Sequence, residues 1–412
     1  MHPVYQTSDL RRKTVHANVS LASDLLKKAL NIEKGSGTTG QQTAGTLTRD
    51  KIYEIAKIKA KDLNDLPIRD EKREKELLKR LIQEGKTKGL DAEYISRIFN
   101  EVIENSVRLQ QQFVQRQANK KNKTVNRIKV AIQGIEGSYS YLTARKFFSD
   151  YEDSLEFVWQ ERFEEVARLV EKGEADYAIL PIENTTSGGI NEVYDILLHT
   201  TLSIIGEEKF KIDHCLCATE DIPLEKIKKV YAHYQAAAQC SGFLATLNQP
   251  ELQYFADTAM SVKKIHDENN KYYAAIASEE AAKLFGVKIL KRNIANQSEN
   301  YTRFLICARK QITIDKRVPS KTSLVMATAH TAGALVEGLM IFRKYNINLT
   351  KLESRPIIGN PWEEMFYLDF EGNLSDKNVQ RAIQELTPFT RFLKILGSYP
   401  SKDLPKQKLE ES

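Results

Sequence analysis

Cysteine is scarce in this sequence, and the cysteines that occur form no metal-binding or disulfide pattern. Cys215, Cys217, Cys240 and Cys307 contain no CxxC pair, so neither a zinc site nor a disulfide scaffold is indicated. The seven histidines form no HExxH motif. We therefore expect a protein that uses neither a metal nor another cofactor.

Long apolar runs are missing as well. No segment is long enough to cross a membrane, and residues 1–30 lack the continuous apolar core of a signal peptide. The net charge of +6 over 412 residues fits anionic small substrates better than a nucleic-acid groove, because basic and aromatic residues do not alternate. We expect a cytoplasmic protein of two to four domains with neither membrane nor nucleic-acid partners.

The first part of the chain divides into an irregular segment and a helical one. Residues 35–45 have the composition of a flexible linker, and 1–48 as a whole give no clear pattern. From 49 to 118 the pattern is helical, with Asp91 placed to start a long helix whose apolar stripe includes Ile95 and Phe99. The stripe continues through Ser106 and Gln110, so two polar side chains face the core and need polar partners.

A second group of polar residues precedes that helix. Asp70, Arg73 and Glu74 cluster at the start of the preceding helix. Such a cluster is either a set of surface ion pairs or, together with the polar positions of the stripe, part of a binding site.

Residues 128–310 alternate strands and helices, after a polar linker at 119–127. The strand 128–132 leads into a glycine- and hydroxyl-rich turn at 133–140. The strand 177–180 leads into the turn 181–189, which is either an anion site or an ordinary polar loop. Two such turns at the strand ends of one sheet can face a single crevice. Further strands are predicted at 202–205, 210–216, 229–231 and 273–277 and from 300 onward.

Residues 321–400 predict a separate small domain. Strands are expected at 323–327, 349–354, 365–370 and 393–397, and helices at 332–345 and 377–386. This order is βαββαβ, which is the ferredoxin-like arrangement.

Four motifs in this order resemble one family. They are Asp176-Tyr177-Ala178 leading into Pro181–Thr185, Asn300-x-Thr302-Arg303-Phe304, Gly333–Val336 and Glu353–Pro356. From about Arg49 onward the chain resembles the bifunctional chorismate mutase/prephenate dehydratases of bacterial phenylalanine synthesis. The resemblance implies an all-α mutase-type domain at 49–118, a two-lobed α/β dehydratase domain of the periplasmic-binding-protein type at 128–310 and an α+β ferredoxin-like ACT domain at 321–400. Residues 1–48 stand outside it as an atypical segment.

The resemblance also implies the reactions and the partners. Chorismate would rearrange to prephenate, and prephenate would lose carbon dioxide and hydroxide to give phenylpyruvate. Phenylalanine would inhibit through the ACT domain, and the chain would form a homodimer or a higher homo-oligomer.

For the dehydratase, the resemblance implies that Thr302 is the principal catalytic residue and that Glu183, Asn184 and Gln239 line the pocket. Arg303 either holds a substrate carboxylate bidentately or forms an internal ion pair. The sequence departs from the family pattern at Ala232, where a serine is usual, and at Tyr141, where a histidine is common. We expect these two changes to alter affinity and to leave the chemistry intact.

For the mutase, the resemblance assigns Asp70, Arg73, Glu74, Ser106 and Gln110 to the chorismate pocket. The family's pocket also contains a lysine near the end of the first helix, and the resemblance implies Lys61 for it, or Lys59 if the loop differs. Arg49 and Arg11 are candidates for two further arginines of the pocket. The glycine-rich segment interrupts the family's long first helix. An alternative is therefore a monofunctional prephenate dehydratase with an inactive mutase-like dimerisation domain, and a second is a non-enzymatic amino-acid sensor.

For the effector, the resemblance implies that phenylalanine binds between two copies of the ACT domain, at two motifs. The backbone of Gly333, Ala334, Leu335 and Val336 would bind the carboxylate of phenylalanine, and Glu353, Ser354, Arg355 and Pro356 would face the partner. The alternative is that both motifs only pack a dimer.

Overall fold

The computed structural model describes residues 71–87, 89–119, 127–328, 331–357 and 364–403. They fall into two compact units. One contains the helical segment together with 313–319 and 401–403, and the other contains 127–312 and 320–400. The predictions for the segment 1–48 and for Arg11, Arg49, Lys61 and Asp70 lie outside the described residues, as does the side chain of Arg73.

The helical unit contains two helices, α1 (Glu71–Lys86) and α2 (Ala92–Ala118). Asp91 caps α2 as predicted, because its carboxylate accepts hydrogen bonds from the backbone N–H groups of Glu93 at 2.9 Å and Tyr94 at 3.0 Å. The apolar stripe of α2 is buried at Ile95 and Phe99, and α1 and α2 contact each other. The predicted helix start and its core-facing stripe are therefore confirmed.

The second unit contains three sheets. Its strands in chain order are β1 (Ile128–Gln133), β2 (Leu155–Gln160), β3 (Tyr177–Asn184), β4 (Gly188–Gly189), β5 (Ser203–Lys211), β6 (Cys215–Ala218), β7 (Lys229–His233), β8 (Glu251–Phe255), β9 (Tyr273–Ala277), β10 (Lys288–Lys291), β11 (Tyr301–Ala308), β12 (Ser320–Thr328), β13 (Leu349–Pro356), β14 (Glu364–Glu371) and β15 (Thr390–Pro400). Its helices are α3 (Tyr139–Phe147), α4 (Phe163–Lys172), α5 (Asn191–His199), α6 (Tyr234–Gln239), α7 (Ser241–Leu244), α8 (Thr258–Glu268), α9 (Glu279–Leu284), α10 (Ala334–Lys344) and α11 (Lys377–Leu386).

The first two sheets form two lobes. The first lobe has the strand order β2-β1-β3-β11-β5, with β4 paired to β3, and the second has the order β10-β6-β9-β7-β8. The chain crosses to the second lobe after β5 and returns at β11, which lies antiparallel between β3 and β5. This is the two-lobed arrangement expected for the segment 128–310.

One strand prediction was wrong. The sequence predicted separate strands at 202–205 and 210–216, whereas β5 runs without a break from Ser203 to Lys211 and β6 begins only at Cys215. The charged residues in the middle of β5 interrupt its apolar pattern. However, Glu207 is fully buried and forms ion pairs with Arg303 and Lys321. Those ion pairs come from distant parts of the chain, so local patterning could not predict them.

The third sheet has the order β13-β14-β12-β15 with antiparallel neighbours throughout, which fits the predicted βαββαβ order. Leu324, Phe342 and Phe370 belong to a core that includes residues of α10 and α11. On the opposite side, Val325 and Tyr399 belong to a core shared with the first lobe. The third sheet therefore packs into the same compact unit as the two lobes.

Candidate active site

A cavity of about 480 Å³ lies between the two lobes. Both predicted turns face it, because its wall includes Ser138 and Ser140 from the first turn and Asn184 and Ser187 from the second. The second lobe supplies the opposite wall, which includes Gln239. The sequence prediction that the two turns share one crevice is confirmed.

The first turn is shaped by a glycine and a helix cap. Gly134 has φ +97°, and a Cβ atom there would lie 2.8 Å from the carboxylate of Asp257 in the second lobe. Ser138 caps α3 by accepting a hydrogen bond from the N–H of Tyr141 at 3.3 Å. The glycine thus permits a close approach of the two lobes at one end of the cavity.

Asn184 and Thr302 face each other on neighbouring strands. They are paired in the register of β3 and β11, and the Asn184 side-chain amide donates to the Thr302 hydroxyl oxygen at 3.0 Å. Thr302 is 8% exposed and lines the cavity. Because its oxygen already accepts this hydrogen bond, the hydroxyl hydrogen can be donated to a bound molecule.

Gln239 connects the second lobe to this pair. Its side-chain nitrogen donates to Asn184 Oδ1 at 3.2 Å and to the hydroxyl groups of Thr186 and Ser187. Its oxygen accepts from Asn300 at 3.0 Å and lies 3.0 Å from His214 Nε2. Burial lowers the pKa of His214, so the neutral ring acts here as an Nε2–H donor. Thr302, Asn184 and Gln239 therefore form one uncharged, hydrogen-bonded wall.

Glu183 and Arg303 lie elsewhere. Successive residues of a strand point to opposite faces, so these neighbours of Asn184 and Thr302 face away from the cavity and are not part of its lining. The Arg303 guanidinium contacts Glu183 at 3.0 Å, Glu207 at 2.7 Å and Asp369 at 2.6 Å. The structure thus contradicts a position for Glu183 in the pocket wall and shows the internal ion pair as the role of Arg303.

These ion pairs join the first lobe to the third sheet. Lys351 of β13 donates to the second carboxylate oxygen of Glu183 at 2.5 Å, and Arg303 donates to the hydroxyl of Tyr399 on β15 at 2.9 Å. Burial would raise the pKa of Glu183, but the hydrogen bond from Lys351 and the charge of Arg303 outweigh it and lower that pKa. Glu183 is therefore ionised and is held by Arg303 of the first lobe and Lys351 of the third sheet.

The second turn differs from its prediction in detail. The chain folds back through β4, which pairs with β3, before α5 begins at Asn191. Asn184 Oδ1 accepts from the N–H groups of Thr186 and Ser187, and the Thr185 hydroxyl donates to the carbonyl of Glu299. The side chains of Asn184 and Thr185 in this turn are thus engaged in hydrogen bonds within the protein.

The two departures from the family pattern lie outside the cavity lining. Ala232 is 1% exposed and packs in the second-lobe core. Tyr141 is buried and donates to Glu136 at 3.1 Å. Neither side chain reaches the cavity wall, so the expectation that these two changes alter affinity stays a prediction.

Sequence reasoning missed several lining residues. His233 and Tyr234 follow Ala232 directly and line the cavity, as do Arg162 and Phe163 at the start of α4. His233 and Tyr234 could have been found from their position directly after Ala232, where the sequence departs from the family pattern. Arg162 gave no signal, because it precedes an ordinary amphipathic helix.

In the helical unit, the predicted polar positions are buried. Glu74, Ser106 and Gln110 are at most 8% exposed, and Gln110 donates to the Ser106 hydroxyl at 3.1 Å. The two polar interruptions of the stripe therefore interact with each other.

The proposed effector motifs lie where the sequence placed them. Gly333 has φ +85° and precedes α10, and Ala334 is buried, Leu335 is half-buried and Val336 is exposed. The second motif ends β13, with Ser354 and Pro356 exposed. Glu353 pairs with Lys351 and Arg355 with Asp195.

Comparison with known proteins gives two consistent family matches. The family model of prephenate dehydratase matches residues 130–312, and that of chorismate mutase type II matches residues 51–111. A model of the RNA-binding domain of ribosomal protein L11 matches residues 18–73, a range that overlaps the mutase match. The bifunctional chorismate mutase/prephenate dehydratase of Enterobacter agglomerans is 45% identical over 358 residues, or 87% of this chain and 92% of the relative.

The chain belongs to the bifunctional chorismate mutase/prephenate dehydratase family. The family predicted from the four motifs is thereby confirmed, and with it an enzyme that combines a mutase with a dehydratase.

Solved structures resemble about two thirds of this chain. The prephenate dehydratase of Arthrobacter aurescens in complex with L-Phe aligns with a TM-score of 0.61 and 26% identity, over 69% of this chain and 93% of that one. GqqA, described as a quorum-quenching acylase, aligns with a TM-score of 0.59 and 29% identity, over 66% and 98%. Among the described helices of this bifunctional enzyme, none has the length and apolar character needed to cross a membrane.

Proposed function

We propose that prephenate binds in the cavity between the two lobes and that Thr302 assists departure of its ring hydroxyl. The observation that carries this proposal is the hydrogen bond from Asn184 to the Thr302 oxygen. It directs the hydroxyl hydrogen of Thr302 away from Asn184 and leaves it free for the substrate. Gln239 in turn holds Asn184, so the second lobe contributes to the orientation of the donor.

The reaction needs only modest assistance from such a donor. The bond between the ring and its carboxylate breaks, carbon dioxide leaves, and the electron pair enters the ring. The ring then expels hydroxide from the opposite carbon, and the product is the aromatic phenylpyruvate. A hydrogen bond from Thr302 stabilises the negative charge that develops on the departing oxygen.

The test is Thr302→Ala, with Thr302→Ser as its conservative partner. Loss of one positioned donor lowers kcat by about 10²- to 10³-fold, and serine should restore part of it. Thr246→Ala is the matched control, since within the described part of the chain the Thr246 hydroxyl bonds to the carbonyl of Phe243 and does not line the cavity. Unchanged kcat in folded Thr302→Ala would refute the assigned role.

The helical unit is proposed as the chorismate mutase, with Glu74, Ser106 and Gln110 as its described polar residues. Their burial supports this proposal, because buried polar side chains on packed helices suit a polar ligand. Phenylpyruvate should form from chorismate as well as from prephenate. Formation from prephenate alone would favour the monofunctional alternative, in which this unit only dimerises the chain.

We further propose that the third sheet is an ACT domain that binds phenylalanine between two copies of the chain. The Arthrobacter structure contains L-Phe, and the exposed Val336, Ser354 and Pro356 are available to a second copy. Calorimetric titration with phenylalanine, combined with measurement of the oligomeric state, tests both parts. Absence of binding by the full chain would refute the effector assignment.

A further inference from the structure

The cavity between the lobes carries little positive charge for a site that takes a substrate with two carboxylates. Among the described residues that line it, Arg162 is the one arginine and there is no lysine. Two histidines, His214 and His233, also line it, but burial lowers the pKa of both, so they are neutral at physiological pH. Glu161 and Glu192 add negative charge to the wall, and a third acid, Asp257, is buried, which raises its pKa.

Arg162 is free to bind a ligand. It directly precedes α4, is exposed, and lines the cavity. Within the part of the chain that the structure describes, its side chain forms no ion pair and no hydrogen bond. By contrast, Arg168 on the same helix forms an ion pair with Glu164 at 3.0 Å. Arg303 forms ion pairs with three carboxylates on the opposite face of the sheet.

A bound cation has a different effect on the reaction at each of the two carboxylates of prephenate. The ring carboxylate must give up its charge when it leaves as carbon dioxide, so a cation bound to it would stabilise the ground state more than the transition state. The carboxylate of the oxoacid side chain keeps its charge throughout. A cation on that group holds the substrate without opposing the reaction.

We propose that Arg162 binds the oxoacid carboxylate of prephenate and that the ring carboxylate meets no arginine or lysine among the described residues of the cavity wall. A planar guanidinium can bind a carboxylate through two parallel hydrogen bonds. This inference rests on the assignment of the cavity as the prephenate site. It assigns Arg162 to binding and leaves the departing hydroxide to Thr302.

The first test compares Arg162→Gln with Arg162→Lys in the full-length enzyme. Loss of a charge-assisted contact should raise KM for prephenate by about 10- to 100-fold, with kcat changed less than about threefold. Lysine should recover part of the loss, because it keeps the charge but not the planar fork. Arg168→Gln is the matched control, since it removes an arginine of α4 that does not line the cavity, and its KM should match that of the wild type.

The second test identifies which carboxylate is bound. The product, phenylpyruvate, keeps only the oxoacid carboxylate, so its inhibition constant should rise in Arg162→Gln by the same factor as KM. An unchanged KM would overturn the proposal. So would a raised KM with an unchanged phenylpyruvate inhibition constant, because Arg162 would then contact the ring carboxylate.

Failure of this inference can be told apart from failure of the site assignment. If Thr302→Ala abolishes turnover while Arg162→Gln behaves as wild type, the cavity assignment stands and the role of Arg162 falls. If Thr302→Ala and Arg162→Gln both behave as wild type, the cavity assignment itself is wrong, and the proposal for Arg162 falls with it.

Discussion

Arg303→Met should destabilise the second unit strongly, although neither Arg303 nor any of its ion-pair partners lines the cavity. The substitution preserves much of the side-chain volume but removes the guanidinium that Glu183, Glu207 and Asp369 share. Glu207 is fully buried, and among the residues that the structure describes it would keep Lys321 as its one ion-pair partner. Removing one partner of a buried ion pair costs about 3–5 kcal/mol.

That cost translates into a measurable shift. For a unit of this size, 1 kcal/mol corresponds to roughly 2–4 °C in Tm, so Tm should fall by roughly 10 °C. Urea unfolding followed by circular dichroism measures the free energy of unfolding directly. Hydrogen exchange of the peptide 301–308 shows whether β11 opens before the rest of the unit.

A second variant separates charge from packing. Combining Arg303→Met with Asp369→Asn removes a carboxylate whose ion-pair partner among the described residues is Arg303, so the double variant should recover part of the loss. An Arg303→Met protein as stable as the wild type would refute the reasoning. A double variant less stable than Arg303→Met would also refute it, because the lost energy would then come from packing.

Two further predictions concern the contact between Lys351 of the third sheet and Glu183 of the first lobe and its dependence on pH. Lys351→Met removes the hydrogen bond from β13 to Glu183 and should weaken inhibition by phenylalanine while calorimetry still detects its binding. Lys344→Met is the control, because Lys344 of α10 pairs with Glu385 of α11 and this pair does not involve the first lobe. Equal inhibition in both variants would contradict the link. The lowered pKa of Glu183 stabilises the fold fully above the unfolded carboxyl pKa of about 4.3, and this stabilisation is lost as pH falls toward the folded pKa. In Lys351→Met the folded-state pKa of Glu183 rises toward its unfolded value, so Glu183 should contribute a smaller loss of stability at acid pH. Acid-unfolding curves measure this contribution. An unchanged pH dependence would contradict the interaction between Lys351 and Glu183.

Local sequence rules predicted much of the fold. The helix start at Asp91, the buried stripe of α2 and the βαββαβ order of 320–400 all follow from capping and from periodic burial, which depend on nearby residues. The predicted break within β5 was wrong, because Glu207 is buried in ion pairs with Arg303 and Lys321, which lie about 100 positions away in the chain. Compensation of that kind depends on contacts that no local pattern reveals.

The candidate site divides in the same way. The sequence alone determined which residue types are present, and its motifs were specific enough to identify the family and to select Thr302, Asn184 and Gln239. Only the tertiary structure decided which face of each strand meets the cavity. Because side chains alternate along a strand, Thr302 and Arg303 must point to opposite sides, but the sheets packed against β11 determine which side is the site. The same packing brings Arg162, which carries no motif, to the cavity wall.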